Sequence, residues 1–468
     1  MKKYLAMLCI FCLVLGLCAC GGEAAQETQP AATGLQVGFG KASLMPEEPV
    51  PMAGYTDTSK RMSAGFRDML YTTCIAFTEG ENTVLVFTQD LFKAEQSWVN
   101  EARANIAKAT GVQGSNIVVC ATHNHAGPDT SSGHSSIQPY RVLYQQAMVE
   151  AAKAALADRG PATLSGAVTK TENLNFPRHY QLSDGSYGGD VFGDFTANSI
   201  VDYEGEGDPT MLLVKVDREG DKKDILIVNW QVYPCVLGVS ADTNLSADFI
   251  GLMRGKIEKE IGMLCAYFNG AAGNLKPQSK IQADMHKLDD TQYSEAVAQV
   301  AIDGLAGLQP LEGRGVSISR SNFLYDVNHD DEDKLTQARE VVELAKTAEN
   351  AAGVRAKELG LLSVFHARQI VSRVTRPASA TMELDVVKVG GMAFVTAPYE
   401  MFFESGIYIR ENSPYPATVI CSCANAYYGN FATEKAYEYQ SYESYTNYFA
   451  KGCAEAAAGE LINLLKND

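Results

Sequence analysis

The chain has 468 residues, 46% of them hydrophobic, and a formal charge of −17 from 39 basic and 56 acidic side chains. So acidic a surface repels phosphate backbones and anionic headgroups, which excludes nucleic acid as a partner and leaves any membrane attachment to something other than surface charge. Roughly 435 residues remain behind the N-terminal segment, enough for one large core.

The N-terminus reads as a targeting segment. Lys2 and Lys3 precede an apolar run over 4–17, shorter than the stretch of about 20 residues that spans a bilayer. The box Leu17-Cys-Ala-Cys20-Gly puts a small residue before Cys20. This predicts a lipoprotein signal peptide over 1–20, lipidation at Cys20 as the one membrane attachment, and a body outside the cytoplasmic membrane. Residues 21–34 are rich in Gly, Ala, Gln, Glu, Thr and Pro and predict a flexible tether. No second linker or repeat interrupts 35–468, so one domain is expected there. Cys9, Cys12, Cys18 and Cys20 belong to the leader. The other seven cysteines are odd in number, scattered and mostly set in apolar runs, which is no disulfide framework.

Strand patterns cover 73–77, 83–87 and 117–119, then 211–216 and 224–230; helical patterns cover 99–110, 142–158, 250–261 and 293–305. Between them, 183–209 is rich in Gly and Asp and aperiodic, a loop long enough to be a lid. Its Asp184, Asp190 and Asp194 lack EF-hand spacing, so a solvated loop is favoured over a calcium site. A long helix is predicted over 332–359, with Leu335, Ala338, Val342 and Ala345 on one face. Strands follow over 383–389, 392–396 and 418–423, then a closing helix over 445–465. The alternation predicts an α/β body built as a large layered αβ sandwich.

The most informative stretch is Cys120-Ala-Thr-His123-Asn-His125-Ala-Gly-Pro128, which follows the strand pattern at 117–119. In an extended segment residues two apart share a side, so His123 and His125 are expected to face one pocket as a metal ligand and an acid/base partner.

Taken together, the motifs resemble the neutral/alkaline non-lysosomal ceramidase family and its short bacterial relatives. Val37-Gly-Phe-Gly-Lys-Ala-Ser-Leu-Met-Pro46 and Pro51-Met-Ala-Gly-Tyr55 are similar to that family's opening. Ala121-Thr-His-Asn-His-Ala-Gly-Pro128 is similar to its histidine signature. Asn229-Trp-Gln-Val-Tyr233-Pro, Phe268-Asn-Gly-Ala-Ala-Gly-Asn274-Leu-Lys276-Pro, Thr396-Ala-Pro-Tyr-Glu400 and Asn425-Ala-Tyr427, with Tyr437 and Tyr442-Glu443 beyond, follow in family order. The resemblance implies the ceramidase N-terminal domain without the family's C-terminal immunoglobulin-like domain. It also implies metal-assisted hydrolysis of a linear N-acyl amide, with a small-molecule or lipid-like substrate. Zinc would be held by His123, residue 233, Glu400 and Tyr427, and would lower the pKa of a bound water. His125 would sit beside the metal as a proton-handling or orienting group. Arg178, in Asn175-Phe-Pro-Arg178, would clamp a carbonyl or anionic group or else form a structural ion pair.

The chain departs from the family pattern in two places. Residue 233 is Tyr where the family has a zinc-binding His, and a phenol binds zinc only after losing a proton of pKa near 10. Cys235, two residues on, is a candidate replacement ligand if the strand is regular, and otherwise a buried apolar residue. Asn274 and Lys276 stand where the ceramidases have Asp and Ser, and Lys276 could stabilise an oxyanion. Two rival readings remain: a catalytically impaired relative that binds a ligand in the same pocket, and a surface interaction protein using the tyrosines of 427–448.

Overall fold

The computed structural model describes residues 34–55, 61–190, 192, 196, 199–237, 243–279, 281 and 288–467. The leader, Cys20 and the tether up to residue 33 lie outside the described residues, as does Asp194.

Two sheets stacked face to face form the centre. The larger runs, edge to edge, Leu264–Asn269, Ile225–Trp230, Thr210–Arg218, Gly160–Lys170, Gln36–Ser43, Tyr71–Glu79, Asn82–Gln89 and Ile117–Ala121, with Gln309–Pro310 added beside Gly160–Lys170. The smaller runs Val316–Asp326, Ser379–Val389, Met392–Thr396 and Ala417–Cys421. The apolar strand runs carry no polar alternation because both faces of each sheet are covered. Ile75 and Phe77 point between the sheets towards Val387 and Phe394. Cys74 and Ala76 point the other way, under helices Gln96–Thr110 and Ile137–Ala157. Helices Phe249–Ile261 and Asp290–Gly304 cover the rest of that face. The outer face of the smaller sheet lies under Cys453–Lys466. The result is the expected layered α/β sandwich, with helices on both outer sides of the two sheets.

Three predicted elements come out differently. The helix over 332–359 is two helices, Glu332–Ala345 and Glu349–Glu358, broken at Ala348 (φ −148°, ψ 70°). A continuous helix of that length, about 1.5 Å per residue, would carry its second half away from any partner. Folding back lets Leu335, Ala338 and Val341 pack with Ala352, Ala356 and the helix Val364–Arg373. The closing helix shortens to Cys453–Lys466, with Gly452 left-handed at φ 89° before it and a separate turn, Tyr442–Thr446, upstream. Phe449 draws the intervening chain out, since its ring packs against Tyr325 and Phe431 at centroid distances of 5.0 and 4.2 Å. Finally, 183–209 is not wholly irregular, because Tyr187–Gly189 and Ile200–Tyr203 pair with His179–Leu182.

One buried ion pair ties the larger sheet to the histidine segment. Arg254 donates to both carboxylate oxygens of Asp90, at 2.9 and 2.6 Å, and the Asp90 side chain is fully buried. The Asp90 backbone oxygen accepts from Asn124, between the two histidines. Replacing Arg254 by Met leaves a buried carboxylate without its partner, and this should cost about 3–5 kcal/mol. The expected readout is a large fall in the urea midpoint; an unchanged midpoint would show that the pair carries no stability.

Candidate functional site

Strand Ile117–Ala121 ends against the stretch that follows the smaller sheet. Asn425 accepts from the Val119 N–H through Oδ1 at 2.9 Å and donates its own N–H to the Val119 carbonyl at 2.7 Å. This seam carries residues 425–430 past the histidine segment. His123 is left-handed, at φ 65°, so the strand stops there. Such a conformation costs a non-glycine residue on the order of 1–2 kcal/mol and is retained here by its surroundings. Its Nδ1 lies 3.0 Å from the Phe92 carbonyl. A carbonyl only accepts, so Nδ1 carries the proton and Nε2 presents a lone pair. Asn124 donates to the carbonyls of Asp90 and Ser246, and the His125 N–H donates to the Pro234 carbonyl. Gly54 runs so close to His125 that an added Cβ would lie 2.7 Å from its backbone.

These segments enclose a cavity of about 580 Å³ lined by His123, His125, Arg178, Tyr233, Glu400 and Tyr427, among others. The two imidazoles meet edge to face with centroids 5.0 Å apart. They share the cavity as expected, though through the left-handed turn at His123 and not through strand alternation. Glu400, 4% exposed, sits at its floor. The loop after strand Leu264–Asn269 packs on its backbone, where Gly273 passes so close that an added Cβ would lie 2.6 Å from the Glu400 carbonyl. Tyr233 and Tyr427 each donate a hydroxyl hydrogen to Glu400, one to each carboxylate oxygen. His123 Nε2 is 3.5 Å from Glu400 Oε2. Both ring nitrogens of His125 are buried without a hydrogen-bond partner among the described residues.

Burial sets the protonation states. It lowers the His123 imidazole to about 3 and pushes His125 well below its ordinary value, so both are neutral. It raises the Glu400 carboxyl, against the lowering effect of the two phenol hydrogen bonds. The Tyr233 and Tyr427 hydroxyls are driven well above 10 by the same burial, so both stay protonated.

Arg178 crosses the Tyr233 ring at 4.9 Å and pairs with Glu443, which also binds His179 at 2.8 Å. Of the two alternatives for Arg178, the ion pair is present; the side chain also faces the cavity with a buried Nε–H that has no partner among the described residues. Burial opposes the charge on Glu443, but Arg178 and His179 outweigh it and hold the carboxyl at about 2.

Asn274 and Lys276 do not line the cavity. Asn274 faces the start of helix Phe403–Glu411, accepting from the Phe403 N–H at 2.9 Å and donating to Glu404. Lys276 binds Asp190 and the Tyr180 hydroxyl, at 2.7 and 2.6 Å. This also gives Asp190 a cationic partner in place of calcium. Cys235 is a further correction. The Ile225–Trp230 strand has ended before it, and its N–H turns back to the Tyr233 carbonyl at 2.9 Å. The thiol is consequently outside the cavity lining, and burial pushes it up to about 12. The sequence reading missed Phe92 and Tyr55, whose rings lie 4.3 Å from His123 and 5.2 Å from His125. It also missed Phe365, Gln369 and Arg376 from the helical excursion. Of these only Tyr55 lies in a motif, Pro51-Met-Ala-Gly-Tyr55, and nothing in the sequence marks the others.

As they stand, the four positions do not fit zinc. Two of them are phenols that hold their protons and spend them on Glu400. Of these four, only His123 Nε2 and the carboxylate offer lone pairs, where a zinc site needs three or four protein ligands. Among the described residues no group of three His, Cys, Asp or Glu is placed to hold a metal ion.

No protein-family model and no curated protein matches the chain. Solved structures do, two ceramidases among them. The neutral ceramidase from Pseudomonas aeruginosa superposes with a TM-score of 0.68 at 17% identity, covering 93% of this chain and 74% of that one. A ceramidase complexed with C2 gives 0.67 at 16% identity, covering 93% and 75%. The chain has the ceramidase fold, as its motifs implied.

Two outcomes follow from this geometry. Purified protein should hold clearly less than one zinc per chain by elemental mass spectrometry, and Tyr233→His should raise that content. A relative gain of about 10–100-fold in affinity is the scale at which ligand support acts. Tight stoichiometric zinc in the unaltered protein would refute it. In the second, Glu443→Gln should lose roughly 3 kcal/mol at neutral pH, the linkage value of a carboxyl lowered from about 4.5 to about 2. A lowered carboxyl stabilises above its unfolded pKa, so the gap between wild type and variant should shrink from pH 4.5 down to 2 in urea titrations. A pH-independent gap would contradict it.

Proposed function

We propose that the protein hydrolyses a linear N-acyl amide in the cavity above Glu400. The observation that carries this reading is the pair of proton acceptors at the floor, Glu400 Oε2 and His123 Nε2, 3.5 Å apart on a ceramidase fold. A water held between them gives one hydrogen to each and turns its oxygen lone pair towards a bound carbonyl. Glu400 takes the proton as the C–O bond forms, a role favoured by its raised pKa. The unpartnered Arg178 Nε–H receives the developing oxyanion. Glu400 then returns the proton to the amine nitrogen as the C–N bond breaks, which releases an acid and an amine. Neutral His125 has one donor and one acceptor to orient the leaving nitrogen. The aromatic lining from Phe92, Tyr427 and Tyr442 suits an apolar acyl chain.

The rival reading, a ligand-binding relative without turnover, is favoured by the two phenols already bound to Glu400, which stabilise its ionised form and weaken it as a base. Attachment through lipidated Cys20, outside the cytoplasmic membrane, remains part of the proposal, supported by the Lys-Lys start, the apolar run and the small-residue box. Among the described residues no helix is long and apolar enough to cross a membrane.

The test is product formation from N-acyl amides. Glu400→Gln should lower kcat/KM by about 10²–10⁴-fold, the range for a lost general base. Retained activity in that variant would rule out this role for Glu400. Calorimetric binding of the amide without any product would favour the rival.

A further inference from the structure

Three cations line the cavity, and two are already matched. Lys93 is 3.2 Å from Glu95, and Arg178 is paired with Glu443. The third, Arg376, makes no ion pair among the described residues. Its guanidinium lies over the Tyr448 ring at 3.6 Å, which fixes its plane and leaves its N–H edges available. The contrast with Arg373, three residues earlier, is instructive. Arg373 is buried, bonds to the carbonyls of Asn447 and Tyr445, and lies 3.3 Å from Asp330. One arginine anchors the helical excursion; the other is left facing the cavity.

An uncompensated cation is unexpected on a chain with 56 acidic side chains, many of which could have served as its partner. It also lines the cavity that holds Glu400 and the two histidines. Tyr427 bonds to Glu400, and the neighbouring Tyr428 lies within electrostatic reach of Arg376. Both tyrosines line the same cavity. A planar guanidinium held against a ring beside an apolar pocket is matched by a carboxylate, which it binds through two parallel hydrogen bonds.

Resting on the hydrolase reading above, we infer that the substrate is an N-acyl amino acid or a short N-acylated peptide, and that Arg376 binds its carboxylate while the amide lies over Glu400. The acyl chain occupies the aromatic part of the cavity, and the acylated residue extends along the same cavity to Arg376. A neutral N-acyl alcohol amine would leave this arginine without a counter-charge.

The experiment uses purified protein with N-lauroylglycine and N-lauroylglycinamide, which differ in charge at one end. The readout is the ratio of their kcat/KM values. The carboxylate should be preferred by about tenfold or more, the scale of one charge-assisted contact. Arg376→Gln should bring the ratio close to one, and Arg376→Lys should restore part of it. Equal use of both compounds, a preference for the neutral amide, or a ratio unaltered in Arg376→Gln would overturn the inference. If neither compound is hydrolysed, calorimetric dissociation constants give the same ratio. An Arg376-dependent preference for the carboxylate would then uphold this inference while the hydrolase reading falls, and no binding of either compound would overturn both.

Discussion

The site depends on one buried carboxylate. Glu400 lies at the junction of four segments, and its hydrogen bonds come from two phenols on two of them. A carboxylate withdrawn from water is costly unless several donors face it. Tyr233 and Tyr427 must therefore be held in place, and with them the segments that carry His123 and the Gly273 loop. The same arrangement explains the mismatch with zinc. A phenol in place of an imidazole at 233 supplies a hydrogen where a metal needs a lone pair, so the carboxylate is satisfied by protons on the protein.

A series of asparagines holds these segments, and none of them touches the reacting region through its amide. Asn124 spans Asp90 and Ser246. Asn229 donates to Phe268 and Ile420 and accepts from the Ile420 N–H, which links the two sheets. Asn269 donates to Thr122, Asn274 faces the start of a helix, and Asn425 closes the free edge of Ile117–Ala121. Each amide satisfies backbone groups that irregular chain leaves unpaired inside a core. This explains why the motifs at 121–128, 229–234, 268–277 and 425–427 each carry an asparagine as well as a chemical residue. At Asn274 the family's carboxylate would face Glu404. The amide can donate to that acid, so this departure is compatible with the packing seen here.

The outer wall of the cavity has a different origin. It comes from the helical excursion after Val316–Asp326, whose own small core is separate from those of the sandwich. Phe365, Gln369 and Arg376 reach the cavity from there, while the sandwich supplies the floor. Floor and wall thus answer to different constraints, the first to the buried carboxylate and the second to the separate core of the excursion.

From the sequence alone the layered α/β class was legible, because apolar runs of strand length alternate with helical periodicity. The meeting of His123, Tyr233, Glu400 and Tyr427 was legible only through the resemblance, since an acid at a strand end and one tyrosine among many carry no signal of their own. Tertiary structure decided the rest. Packing split the helix at Ala348, and Phe449 unwound the start of the closing helix. A turn at Cys235 took its thiol away from the cavity, and Asp190 drew Lys276 aside. Local propensity has no term for any of these, because each depends on which distant group lies across the gap. Arg376, which has no ion pair among the described residues, is the clearest case, since only the folded chain shows which acids come within reach of a given cation.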